Sequence, residues 1–119
     1  MSNVTESLEG LMELAGAKYA ALVDSASGMI IGQSSSSANM DIAAAGNTEV
    51  VRAQLKLMDT LGLKDTIDDI LITLTTQYDI VRPLAVNPSI FLFLTMEKSR
   101  SNLALARLKV AETESQLVL

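Results

Sequence analysis

Apolar residues at Leu8, Leu11, Met12 and Ala15 recur at helical spacing, with Asn3 and Glu6 placed as an N-cap pair and Gly16 as a stop. That pattern predicts a short first helix with one apolar face. The next two runs, KYAALVD (18–24) and GMIIGQ (28–33), are β-rich and separated by SAS, with Gly28 free to take a positive φ, so they predict a hairpin. SSSSAN (34–39) is a polar connector, and its serines, Ser34 to Ser37, carry no recognisable chemistry. Its last residue supplies a cap for a long second helix over residues 39–61, closed by Gly62.

After GLKDTIDD, three strand-like runs cover residues 70–75, 78–85 and 90–96, joined by a tight TQ turn and by NPS. In the last run Ile90, Leu92 and Leu94 alternate with Phe91 and Phe93, so both faces are apolar, as a central strand covered on both sides requires. Pro83 cannot donate to a ladder, so its strand must bulge, end there, or turn that nitrogen away from a neighbour. A final helix begins near Asn102. The order helix, two strands, long helix, three strands, helix, with hairpin-length connections, predicts an α+β domain of three layers with mostly antiparallel pairing.

At 119 residues the chain forms one domain, residues 1–119, and with only two Phe and two Tyr its core must be aliphatic. A net charge of -5, with no basic run and no stacking aromatics, argues against nucleic acid as a partner. No segment approaches the roughly 20 apolar residues of a membrane span, and the acidic N-terminus is unlike a secretory signal, so a soluble cytoplasmic protein is expected. Histidine and cysteine are both absent, which removes the commonest general base, zinc ligands and thiol chemistry. Asp65, Asp68 and Asp69 cluster, but neighbours on an incipient strand point to opposite faces, and the group reads as a solvated lead-in. Gly28 and Gly32 lack the lysine and serine of a phosphate loop. Neither an enzyme nor a bound cofactor or metal is expected.

Two features ask for partners. In the second helix, apolar residues from Met40 to Leu61 spread over roughly 220° of the wheel, about twice what one sheet face requires. Asn47 and Gln54, seven residues apart, lie within that arc, where polar groups in a helix pair can set register. Such a helix is either wedged between sheet and loops or packed on its own copy in a twofold dimer. In SNLALARLKVAE (101–112), Arg107 interrupts the apolar side of the last helix. It is either an anchor whose guanidinium meets a carboxylate, with Glu114 two turns on as a distant candidate, or a contact for another protein.

AGAKYAALVDSASGMIIGQS (15–34) and SIFLFLTMEKSRSNLALARLKV (89–110), in this order and spacing, resemble the Roadblock (dynein light chain) family, down to the NLALAR stretch of its bacterial members at Asn102–Arg107. The resemblance spans nearly the whole chain. It implies a five-stranded antiparallel sheet with the long helix on one face and the terminal helices on the other. It further implies a homodimer, or a heterodimer with a related chain, built by antiparallel packing of the long helices and pairing of the third strands. Here that interface falls on Asn47, Val50, Val51, Gln54, Leu55, Met58, Ile70 and Ile72. Family members are non-catalytic platforms that bind or activate small Ras-like GTPases or serve as adaptors in motor and signalling assemblies. Arg82, Arg100 and Arg107 are the candidate partner contacts or structural anchors. A GTPase regulator, an adaptor that touches no GTPase, and a ligand-sensing module holding a dry pocket are the three readings left open.

Overall fold

The strand that is apolar on both faces lies at the middle of the sheet. In the computed structural model, which describes residues 2–34 and 39–119, this strand is β5 (Ile90–Glu97). It is flanked by β1 (Ala17–Asp24) and β4 (Gln77–Pro83), with β2 (Met29–Gln33) and β3 (Ile70–Thr73) at the edges, giving the order β2-β1-β5-β4-β3. Every neighbouring pair is antiparallel. The alternation of β5 divides the core in two. Leu92, Leu94 and Met96 pack with Leu8 and Leu11 of α1 (Val4–Leu11) and with Ala106 and Val110 of α3 (Leu103–Gln116). Phe91 and Phe93 point to the other face, where they meet Ala44 and Val51 of α2 (Met40–Thr60). Tyr19 adds an edge-on contact to Phe93, with ring centres 6.0 Å apart.

The chain therefore has the three-layer α+β architecture expected, with one long helix on one face of a five-stranded antiparallel sheet and the two terminal helices on the other. Gly28 takes a positive φ of 76° in the β1–β2 turn, where Ala26 N–H donates to the Asp24 carboxylate at 3.0 Å. Gly16 also has positive φ, but it stands four residues beyond the C-cap of α1 and serves the entry to β1. There a Cβ would come within 2.9 Å of the Glu97 carbonyl oxygen.

Other local expectations change. Asn3 does not cap α1; its side chain donates to the Gln116 carbonyl at 2.7 Å and accepts from Val118 N–H at 2.7 Å, tying the two termini together. Asn39 precedes α2 in the left-handed region, φ 64°, without a side-chain cap bond. β3 is shorter than the expected 70–75 because the turn forms over 74–76, closed by Leu74 N–H to the Gln77 carbonyl at 2.8 Å. β4 ends at Pro83, and β3 stops opposite Val81, so no neighbour on that side needs the missing proline N–H. Ser34 is buried, its hydroxyl accepting from Ala20 N–H at 3.0 Å; the other serines of the connector lie outside the described residues.

Val51 is fully buried against its own sheet. Val51→Glu places an unpaired carboxylate there at a cost of more than about 4 kcal/mol, comparable with the stability of a whole domain. Circular dichroism of this variant is expected to show no cooperative melting transition. A wild-type melt would place Val51 outside the core.

Candidate protein-interaction surface

Helix α2 leans over β1 and β2, and Arg52 fixes its attitude by donating from Nη2 to the Ala26 carbonyl in the β1–β2 turn at 2.8 Å. The pole facing the sheet runs through Met40, Ala44, Thr48, Val51 and Met58, all buried. Of the expected interface residues, Val51, Leu55 and Met58 thus belong to this pole or its margin and are taken up by the chain's own core. Val51 has no surface left for a partner, whereas Leu55 is only partly buried. Their helical spacing could not separate the pole that meets the sheet from the pole that does not.

The flank opposite Arg52 carries the surplus. Asn47, Val50 and Gln54 are half-buried there, and Leu57 and Leu61 are 50% and 62% exposed. Leu57 and Leu61 were visible in the sequence as part of the wide arc but were not singled out. On the same side of the sheet, Ile70 and Ile72 of β3 are half-buried, and among the described residues β3 pairs with β4 alone. This edge strand reads ILIT, with no lysine, proline or inward charge to guard it. Beside Ile72, Asp79 accepts from Thr95 Oγ1 at 2.9 Å and from Gln77 Nε2 at 3.2 Å, so its charge is held within the chain. The result is an apolar helix flank next to a bare, unprotected strand edge.

The three arginines do not converge. Arg107 makes a two-pronged bond to Asp69, Nε to Oδ2 and Nη2 to Oδ1, each 2.9 Å. The Asp69 hydrogen bond, and behind it the Asp69 charge, raises the guanidinium pKa further. Arg107 thereby ties α3 to the lead-in to β3, although its side chain stays half exposed. Arg82 bonds to Glu114 through Nε, and the second Glu114 oxygen accepts from Ala85 N–H at 2.8 Å. This pair is largely buried, at 21% and 11% side-chain exposure. Glu114 thus serves Arg82, across from it on β4, and not Arg107. Arg100, beyond the far end of β5, is exposed and 3.6 Å from Glu97. Beside Arg82, Leu55, Met58, Ile67, Pro83 and Pro88 line a cavity of about 140 Å³. Among the described residues no helix is long and apolar enough to cross a membrane.

No family model matches the sequence and no curated relative does. Solved structures do. MglB of Myxococcus xanthus superposes with a TM-score of 0.82 at 17% identity, covering 95% of this chain and 89% of that one. A Roadblock/LC7 domain from Streptomyces avermitilis gives 0.82 at 13% identity, covering 96% and 93%. The gliding protein MglB of Thermus thermophilus gives 0.68 at 18% identity, covering 93% and 87%. The chain has a Roadblock fold.

The two ion pairs differ in burial, and that difference is measurable. Glu114→Ala leaves Arg82 without its partner and Ala85 N–H without its acceptor, and is expected to cost about 2–3 kcal/mol, somewhat below the usual cost of breaking a fully buried pair. Arg107→Ala removes a pair whose guanidinium is half exposed, although Asp69 is only 10% exposed, and is expected to lower the melting midpoint less. Equal shifts in thermal melts of the two variants would contradict this ranking.

Proposed function

We propose that the chain is a non-catalytic, cytoplasmic dimer that regulates or scaffolds a small Ras-like GTPase. The carrying observation is the α2 flank of Val50, Leu57 and Leu61 lying unpartnered on the same face as the open edge of β3, within a Roadblock fold. A second copy covers both features at once, by packing α2 on α2 and extending the sheet through β3. The paired chains then present a broad, rigid surface spanning both copies, the kind of platform on which another folded protein docks.

On such a platform, activation works by repositioning the GTPase's own catalytic groups. Arg82 and Arg107 fit poorly as arginines supplied to the GTPase, because both are already bonded to carboxylates. The same engagement of both arginines favours the second reading, an adaptor joining a signalling or motility complex without GTPase contact.

Capture of partners from the protein's own cell lysate, in parallel with GDP and with a non-hydrolysable GTP analogue, separates the two. The regulator reading expects a small GTPase retained chiefly with the GTP analogue, and faster hydrolysis when the purified pair is mixed. Other proteins retained equally under both nucleotides, with no GTPase among them, would leave the adaptor.

A further inference from the structure

Asn47 and Gln54 are the two side-chain amides on the unpartnered flank of α2, and both are half-buried. Among the described residues neither amide makes a hydrogen bond. An amide that loses water on association without gaining a partner weakens that association, so a flank meant to be covered must provide for both.

Their placement along the helix supplies the provision. α2 runs from Met40 to Thr60, so its middle residue is Val50. Asn47 precedes the Val50–Val51 peptide by as many positions as Gln54 follows it. When two copies of a helix pack antiparallel about a twofold axis, residues equally far before and after the axis face one another. An axis through the Val50–Val51 peptide, half a residue past the middle of the helix, keeps nearly full overlap of the two helices and sets Asn47 of each copy against Gln54 of the other. β3 can likewise pair antiparallel with its own copy, about a midpoint between Leu71 and Ile72.

We infer that Asn47 and Gln54 form a reciprocal amide clasp across the dyad with a second copy of this chain, and that this clasp selects the register and the identical partner. The inference rests on the proposed dimer and adds the residues that specify it. Each primary amide offers one carbonyl acceptor and two N–H donors, so each crossing pair can exchange hydrogen bonds in both directions. The two crossings are equivalent by symmetry. Shifting the helices by one turn would set each amide against Val50, Leu57 or a neighbour of theirs and leave it unpaired, a penalty of the kind that polar residues impose on misaligned helix pairs. A related chain with aliphatic residues at these two positions would be disfavoured for the same reason.

The test is a charge complementation between two variants, Asn47→Lys and Gln54→Glu. Both sites are half-exposed, so both variants are expected to fold, with wild-type circular dichroism. Alone, each variant places two mismatched pairs at the interface, and its dimer dissociation constant is expected to rise by about tenfold or more. Mixed in equal amounts, they match one Lys–Glu pair with one native Asn–Gln pair, and native mass spectrometry should show heterodimer well above the statistical half. A second readout exploits the absence of cysteine from the chain: Asn47→Cys mixed with Gln54→Cys should form the mixed disulfide faster than either variant forms its own. A wild-type dimer whose variants mix only statistically, with no preference for the mixed disulfide, would overturn the clasp while leaving the dimer in place. A wild-type protein that stays monomeric at every concentration would overturn both.

Discussion

A five-stranded sheet is wider than one helix. At about 4.8 Å between strands it spans roughly 20 Å, whereas a helix with its side chains is about 10 Å across. On one face of β5 the chain meets this requirement with two helices, α1 and α3, over the cluster around Leu92, Leu94 and Met96. On the other face it has α2 alone, seated over the β1–β2 half by Val51 and the Arg52 bond to Ala26. The shortfall of one helix leaves the β4–β3 half and the nearer flank of α2 only partly covered, and those are the surfaces that a second copy would complete.

The opposite face is closed by devices that leave little to spare. Asn3 joins the N-terminus to the tail after α3, Arg82 and Glu114 pin α3 to the end of β4, and Arg107 ties it to Asp69 ahead of β3. These bonds hold α3 over the sheet from three sides without a large apolar contact at each. They also occupy the charges that would otherwise be free for a partner. The asymmetry between a closed face and an incomplete one is what gives the fold a direction in which to associate.

Most of the architecture was legible because alternation and helical spacing were strong where they mattered. The two-faced apolar run at Ile90–Glu97 announced a central strand, and the wide arc of α2 announced a helix with more apolar surface than its own sheet could use. What was not legible depended on contacts distant in sequence. The arc shows a surplus but not its orientation, and Val51, which belongs to it, faces the sheet while Leu57 and Leu61 face away. Arg107 called for an acceptor, but Asp69 lies 38 residues away, and only the fold brings it within reach. Asn3 looked like a cap from its neighbours, whereas its partners are at the other end of the chain.

The most direct measurement is the solution mass of the wild-type chain beside a Leu57→Glu/Leu61→Glu variant, by sedimentation equilibrium over a wide concentration range. If the uncovered flank is an interface, the wild type tends to about twice 12.7 kDa, and the variant, equally well folded, stays near that value. A wild type that remains at the single-chain mass throughout, or a variant that dimerises as tightly, would contradict it.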